Sequence, residues 1–314
     1  MKTRVILSCL FSVCLMVTIV GIHHPPALSA QDNTPGLFFD DFAYDTVEDE
    51  AFTENGWIVR TADGWPGVPG AVWQGVSVVD DFADEPAIED NRLIELRSTT
   101  DGTTTTQAQF CQQRKFLEGT YAARVYFTDE PASGPDGDQI VQTFYAITPL
   151  EYDLAPSYSE MDFEYLPNGG WGEPAHVFFS TTWETFRPEP NWQAVNNSSS
   201  LHDSFAGWHT LVVRVADGSV TYWVDEEELG THTDEYYPET PMSINFNLWF
   251  IRGGLADDDE LREWVEYVDW VYFTEAALEP ADVMTEIETL RADEILFNDT
   301  VPELESPLES PCNF

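Results

Sequence analysis

Basic residues are scarce in this chain of 314 residues. It has 13 Lys and Arg against 57 Asp and Glu, which gives a formal net charge of -44. Nucleic acids and anionic membrane surfaces bind cationic patches, so both are disfavoured as partners, as are sulfated and uronate polysaccharides. A neutral polysaccharide meets no such repulsion. The acidity itself serves either solubility or adaptation to high salt.

Cysteine is also scarce, with four residues in the chain. Cys9 and Cys14 lie near the N-terminus, and Cys111 and Cys312 lie in the remainder. In an oxidising compartment the last two either pair and attach the C-terminal tail to the body, or stay as two free thiols. No paired-cysteine metal site, glycine-rich phosphate loop or Ser/His/Asp signature is evident.

Long apolar runs are missing except at the N-terminus. Lys2 and Arg4 precede the apolar run 5–22, and small residues follow up to Ala30. This layout predicts a signal peptide over residues 1–30 and a secreted protein, free of the membrane once the signal is removed. An uncleaved membrane anchor is the alternative. Residues 31–36 would then form a linker.

Helical periodicity is absent between residues 37 and 276, where short β-rich runs alternate with Gly, Pro, Asp and Asn. Such a pattern predicts an all-β sandwich or barrel. Asp217-Gly218 separates two runs and predicts one hairpin over residues 208–224. Residues 277–314 differ: apolar positions at helical spacing predict a short helix over 280–295, and a Pro/Glu/Ser-rich tail follows.

Three acids alternate with bulky apolar residues in the stretch 159–165, Ser-Glu-Met-Asp-Phe-Glu-Tyr. On a strand, Glu160, Asp162 and Glu164 share one face, since side chains alternate sides. In a chain this acidic, the spacing of the acids also arises by chance. The apolar residues between them favour a strand with a packed back face, and paired carboxyl groups suit hydrolysis of a glycosidic bond.

The surrounding sequence strengthens this interpretation. Residues 159–166 resemble the catalytic strand of glycoside hydrolase family 16, the laminarinase and lichenase group, which reads Glu-x-Asp-x-Glu. Further segments resemble that family's strands in the same order, over roughly residues 37–274: Asp40-Asp41-Phe42, Gly119–Arg124, Ile140–Tyr145, Trp208-His209, Tyr222–Asp225, Asn247-Leu248-Trp249 and Tyr267–Tyr272.

The resemblance implies a concanavalin A-like jelly roll, a sandwich of two curved antiparallel sheets with a glycan cleft, followed by the short C-terminal helix and tail. It implies a secreted endo-β-glucanase that cleaves β-1,3 or mixed β-1,3/1,4 glucan by a retaining, double-displacement mechanism. By the family pattern, Glu160 is the nucleophile, Glu164 the acid/base and Asp162 the group between them. The Cα atoms of Glu160 and Glu164 lie roughly 13 Å apart on a strand, so their side chains must converge across a concave surface.

Sugar rings bind to aromatic faces, and their hydroxyl groups bind amides and hydroxyls. These preferences, together with the family's Asn-x-Trp motif, predict a set of substrate-binding residues: Tyr145, Trp171, Trp183, Asn247 and Trp249. The resemblance also implies a structural calcium ion with Asp269 as a ligand, and no other cofactor. The sequence departs from the lichenase pattern in carrying Gln109, Cys111 and Ser180, which puts lichenase-like specificity in doubt.

Two alternatives stay open. The same sandwich serves as a non-catalytic β-glucan-binding, lectin-like protein when its acids are lost, although this chain keeps all three. A transglycosylase of this fold differs only in transferring the sugar to another sugar instead of to water. In each case we expect a monomer that binds neutral polysaccharide and no nucleic acid.

Overall fold

The computed structural model describes residues 34–82 and 91–313, and the predicted signal peptide lies outside them. Strands dominate. In chain order, those in the described residues are β1 (Leu37–Asp40), β2 (Ile58–Val59), β3 (Val72–Trp73), β4 (Val76–Asp80), β5 (Arg92–Thr100), β6 (Thr105–Phe116), β7 (Gly119–Phe127), β8 (Ile140–Ile147), β9 (Glu160–Leu166), β10 (Val177–Arg187), β11 (Gln193–His202), β12 (Gly207–Ala216), β13 (Ser219–Val224), β14 (Glu227–Thr233), β15 (Met242–Phe250), β16 (Arg262–Thr274) and β17 (Phe297–Asp299).

Helix is confined to a few short segments of the described chain: α1 (Glu50–Glu54), α2 (Pro280–Ala292) and 3-10 turns at Asp234–Tyr236 and Pro311–Asn313. The all-β fold predicted from the sequence is confirmed. None of the helices in the described ranges is long and apolar enough to cross a lipid bilayer.

The strands form two curved sheets. The first, here called the cleft sheet, has the order β2, β6, β15, β8, β9, β10, β11, and each neighbouring pair is antiparallel. In the second sheet, β16 pairs with β7 and with β5, and β12, β13 and β14 continue from β7. The pair of β3 and β6 is parallel. Strand β9, which carries the three alternating acids, therefore lies inside the cleft sheet, flanked on both sides.

The side chains of strand β9 alternate between the core and the cleft. Met161, Phe163 and Tyr165 are buried between the two sheets. The Phe163 ring centroid lies 5.2 Å from that of Tyr222 on the second sheet. Truncating such a buried Phe costs roughly 3–5 kcal/mol, so the core fixes which face β9 turns inward. The three acids must then face the cleft.

The hairpin predicted over residues 208–224 is present as β12 and β13, whose register runs from Leu211–Val224 to Ala216–Ser219. Asp217 and Gly218 in its turn have φ values of 53° and 77°. These left-handed values suit Gly and are tolerated by Asp, as the Asp-Gly signal requires.

The C-terminal residues pack against the sandwich. Val283 and Ile287 of α2 are buried against Phe39 and Trp270, on the face of the second sheet that points away from the first. Strand β17 pairs with β1. A disulfide joins Cys312 to Cys111 of β6. The C-terminal end of the tail is thus attached to strand β6 of the cleft sheet.

Candidate active site

The three acids of β9 line one cavity of about 140 Å³ on the cleft sheet. In the register of the sheet, Glu160 lies between Ile147 and Trp183, Asp162 between Tyr145 and Thr181, and Glu164 between Thr143 and Phe179. The other residues lining the cavity are Arg60, Trp65, Pro66, Gln109, Thr143, Tyr145, Ile147, Asn247, Trp249 and Pro311.

Glu160 is half-buried, and the Tyr158 hydroxyl donates a short hydrogen bond to its carboxyl group. Burial raises the pKa of Glu160 to about 7, while hydrogen bonds from Tyr158 and Asp162 pull it down. Both bonds favour the charged carboxylate, because they are made to its oxygens. The ionised form of Glu160 is therefore favoured by two donated hydrogen bonds.

Asp162 lies between the other two acids and is 4% exposed. Trp183 donates its indole N–H to Asp162 Oδ2 at 2.9 Å. Burial raises the pKa of Asp162 well above its usual range, and the negative charges of Glu160 and Glu164 raise it further. The protonated form of Asp162 is therefore favoured, and its hydrogen bond to Glu160 favours it too.

Glu164 is also half-buried, and within the described ranges no side chain is hydrogen-bonded to its carboxyl group. Burial, followed by the charge on Glu160, raises the pKa of Glu164 to about 8. The hydrogen bonds to Glu160 favour its ionised form, whereas the charge on Glu160 favours the protonated form of Glu164. That division matches a nucleophile beside an acid catalyst.

A polar network lies beside the acids on β8, β15 and β6. The Tyr145 hydroxyl accepts hydrogen bonds from Gln109 Nε2 at 2.9 Å and from Asn247 Nδ2 at 3.1 Å. Thr143 Oγ1 lies 2.7 Å from Asn247 Oδ1. These amides and hydroxyls line the cavity and suit sugar hydroxyls.

The predicted sugar-binding residues fall into two groups. Tyr145, Asn247 and Trp249 line the cavity, and Trp183 adjoins it through its bond to Asp162. Trp171 lies outside the cavity lining. It is 53% exposed, and its ring centroid is 6.1 Å from that of Trp249, so it extends the aromatic surface of the rim.

Sequence reasoning missed six of the lining residues: Arg60, Trp65, Pro66, Thr143, Ile147 and Pro311. One signal for the loop was available: in Gly64-Trp65-Pro66-Gly67 a large aromatic stands among turn-forming residues, which is typical of an exposed functional loop. For Pro311 the signal was the possible pairing of the adjacent Cys312 with Cys111, which attaches the tail to the body and is present in the structure.

Ser180 stands apart from the site. It pairs with Phe163 in the register of β9 and β10 and is fully buried, so it faces the core. Thr181 and Phe179 are its neighbours on the cleft side. The departure noted at Ser180 therefore does not change the cleft surface.

The surroundings of Asp269 do not suit a calcium ion. Arg291 Nη2 and Asn91 Nδ2 lie 2.8 and 2.9 Å from Asp269 Oδ1, and Arg291 also pairs with Asp41. The guanidinium supplies the positive charge that a cation would bring. Within the described ranges, no group of three or more His, Cys, Asp or Glu is placed to hold a metal ion.

No family model matches the sequence, and no curated protein matches it. The fold, in contrast, superposes on solved structures. A Bacillus licheniformis beta-glucanase superposes with a TM-score of 0.52 at 18% identity, over 76% of this chain and 98% of that one. A Bacteroides ovatus mixed linkage glucan GH16 protein, in complex with G4G4G3G product, gives 0.55 at 16% identity, over 74% and 98%. The kappa-carrageenase of Pseudoalteromonas carrageenovora gives 0.53 at 14% identity, over 80% and 98%.

These likenesses span nearly the whole length of each solved chain, and they agree with the two curved sheets described above. The fold expected from the sequence is confirmed. The chain has the jelly-roll fold of the glycoside hydrolase family 16 enzymes.

Proposed function

We propose that this protein is a secreted, retaining glycoside hydrolase that cleaves a neutral β-glucan. The observation that carries the proposal is the row of three acids in one cavity, with the pKa of Glu160 near 7 and that of Glu164 near 8. A retaining enzyme needs one ionised and one protonated carboxyl group within reach of the same glycosidic bond.

In the first step, a carboxylate oxygen of Glu160 attacks the anomeric carbon, and the bond to the leaving sugar breaks. Glu164 gives its proton to the departing glycosidic oxygen. In the second step, Glu164 accepts a proton from water, the water oxygen attacks the anomeric carbon, and Glu160 leaves. Asp162 donates a hydrogen bond to Glu160, which disperses its charge before attack and after release.

Charge supports a neutral substrate. The net charge of -44 and the three acids of the site repel an anionic chain, while the amides of Gln109 and Asn247 and the ring of Trp249 suit uncharged sugars. Solved neighbours include enzymes titled beta-glucanase and beta-1,3-1,4-glucanase. We therefore propose β-1,3 or mixed β-1,3/1,4 glucan as the substrate class.

The test uses Glu160→Gln and Glu164→Gln with laminarin and barley β-glucan as substrates. We expect each variant to lose release of reducing ends by at least about 10³-fold, because a catalytic carboxyl group is removed. Glu151→Gln, an exposed acid outside the cavity lining, is the matched control and should keep wild-type activity. Wild-type rates in both cleft variants would contradict the proposal.

The two roles are separated with azide as an external nucleophile. On an activated aryl β-glucoside, Glu160→Ala should yield the α-glycosyl azide, because azide takes the place of the missing carboxylate. Glu164→Ala should yield the β-glycosyl azide, because the glycosyl enzyme still forms on Glu160. The reverse assignment of products would exchange the two roles.

The transglycosylase and the lectin-like protein are outcomes of the same assays. Transfer of sugar to added oligosaccharide without a rise in reducing ends would indicate the former. Binding to glucan with no cleavage across the substrate panel would indicate the latter.

A further inference from the structure

The loop over residues 60–67 is fixed above strand β6 by side chains that bind its carbonyl groups. Arg60 Nη2 donates to the Trp65 carbonyl at 3.0 Å, Trp73 Nε1 to Gly64 at 3.1 Å, and Gln107 Nε2 to Pro66 at 3.2 Å. The Arg60 guanidinium also stacks 3.8 Å from the Trp73 ring centroid. This loop is therefore a built part of the cleft, with a preferred conformation.

The same loop reaches across the catalytic strand. Its Trp65 ring stacks on Phe186, with 6.1 Å between ring centroids and 30° between planes. Phe186 belongs to β10, whereas the loop is anchored on β6, and β9 lies between these strands in the cleft sheet. Phe186 in turn packs 5.2 Å from Tyr158, the residue that hydrogen-bonds to Glu160. Trp65 thus joins the β6 side of the cleft to β10 at the Glu160 end of β9.

The C-terminal tail closes the β6 side of the cavity. Pro311 lines the cavity beside the acids. Its neighbour Cys312 is bonded to Cys111 of β6, and Leu308 forms a β-bridge with Arg114 of the same strand. Lys115, also on β6, pairs with Glu303 at 2.8 Å. Three attachments therefore hold the segment 303–312 along β6.

The space that remains is small. The cavity holds about 140 Å³, compared with roughly 300–1,000 Å³ in sites that enclose a drug-sized ligand. A glucan lying across β9 would extend toward β10 on one side and toward β6 on the other. On the β6 side it meets Pro311 and the 60–67 loop.

We propose that the wall formed by Pro311 and the 60–67 loop makes the enzyme act on chain ends. A glucan end enters beneath Trp65 and stops against Pro311. A short product of constant length is then released. The inference rests on the proposed β-glucan hydrolysis. It replaces the cleavage of internal bonds expected from the sequence with cleavage near a chain terminus.

The experiment compares the fall in viscosity of barley β-glucan with the number of reducing ends released. Cleavage at internal bonds lowers viscosity steeply per bond, whereas cleavage at ends barely changes it. For wild type we expect little loss of viscosity per bond cleaved and one or two short oligosaccharides as the only early products. A ladder of product sizes with a steep early loss of viscosity would overturn the inference and leave the proposed hydrolysis intact.

Two variants open the wall at different points. Trp65→Ala removes the bridge to Phe186, and Pro311→Gly removes the ring at the closed end. We expect each to raise the viscosity loss per bond cleaved several-fold and to broaden the range of product lengths. Tyr152→Ala is the matched control, since Tyr152 is 59% exposed and outside the cavity lining.

Outcomes for the two proposals are distinct. No release of reducing ends by wild type from any glucan would remove the proposed function and this inference together. Hydrolysis by wild type with product profiles unchanged in both variants would contradict the wall alone. Circular dichroism of each variant verifies that the fold is retained, which is expected because Trp65 is 70% exposed.

Discussion

Glu160 and Glu164 carry the same functional group in different surroundings. Tyr158 and Asp162 donate hydrogen bonds to Glu160, while the negative charge of Glu160 repels a negative charge on Glu164. Hydrogen bonds to a carboxylate lower its pKa, and a neighbouring negative charge raises it. The pKa values of the two acids therefore differ because Glu160 accepts hydrogen bonds, whereas Glu164 experiences the negative charge of Glu160.

The first prediction concerns the pH dependence of hydrolysis. Activity requires Glu160 ionised, which fails below its pKa of about 7, and Glu164 protonated, which fails above its pKa of about 8. The profile of kcat/KM should therefore be bell-shaped with its maximum between these values. In Tyr158→Phe the acid limb should move to higher pH, because a bond that favours ionised Glu160 is lost. An acid limb that stays in place would contradict this role of Tyr158.

The second prediction concerns stability. The folded-state pKa of Glu164 is raised from its ordinary 4.5, so the protonated form is favoured and stability is lost as pH rises from about 4.5 through about 8. Glu164→Gln removes this loss. We expect the free energy of unfolding of the variant to exceed that of wild type by about 2 kcal/mol at pH 9, after allowance for partial exposure. Near pH 4 the two values should match. Denaturant unfolding at both pH values measures this, and a stabilisation that is equal at both would contradict it.

At this scale the sequence predicted positions better than chemistry. Alternation of acids with Met161, Phe163 and Tyr165 was enough to place the acids on one face of β9, and the structure confirms the strand. The roles of nucleophile for Glu160 and acid/base for Glu164 came from the family resemblance, and the spacing of the acids did not predict what makes Glu160 ionise first. That order depends on Tyr158, which is brought beside Glu160 by the turn before the strand.

Among the elements, helix α2 has a role beyond covering the second sheet. Its Arg291 binds Asp41 and Asp269, which belong to distant parts of the chain. Both carboxyl groups are almost fully buried. Burial raises the pKa of Asp41 to about 6, and Arg291 opposes that rise. The helix thus contributes a cation to a buried acidic pair.

The third prediction follows from this ion pair. Arg291→Met leaves buried Asp41 without its cation and Asp269 with Arg124 alone, whose Nε is 3.6 Å away, and should lower the free energy of unfolding by about 3 kcal/mol at pH 7. Arg252→Met, at an exposed position, is the control and should have little effect. EDTA should leave the melting temperature of wild type unchanged. A fall in melting temperature on EDTA, restored by calcium, would contradict the assignment of Arg291 as the compensating charge.

Elements with a local signal were predicted well. The Asp217-Gly218 turn specifies the hairpin β12–β13, and Pro280 with the spacing of Val283 and Ile287 specifies α2. Strand β11 has no such signal, because it is a polar edge strand, Gln-Ala-Val-Asn-Asn-Ser-Ser-Ser-Leu-His, held by pairing with β10. The position of the 60–67 loop was equally hidden, since it is set by Trp73 and Gln107 outside the loop.

For the molecule as a whole, the segments that resemble glycoside hydrolase family 16 strands are individually short, but their order along the chain predicted the fold. The sequence left open whether Cys111 and Cys312 pair, and it did not predict where the tail lies. The pairing of Cys111 with Cys312 spans 201 residues and places the tail on the cleft sheet. No pattern within residues 299–314 indicates a surface against which they pack.

The fourth prediction is that this disulfide contributes strongly to stability. A loop of 201 residues restricts the unfolded chain, and removing such a link costs about 3–5 kcal/mol. Cys312→Ser should therefore unfold at lower denaturant concentration than wild type. Addition of dithiothreitol should shift wild type toward the variant and leave the variant unchanged. Equal midpoints for wild type and variant under oxidising conditions would contradict the prediction.

The position of Cys312 also orders events during synthesis. All strands of the cleft sheet precede Pro311 in the chain, so they emerge from the ribosome, and from any translocation pore, before the wall segment does. A protein whose strands have folded but whose disulfide has not yet formed would hold the wall segment by the Leu308 bridge and the Lys115–Glu303 ion pair alone. Newly made and fully oxidised molecules should therefore differ in the products they release, and the oxidising power of the compartment would set how quickly one becomes the other.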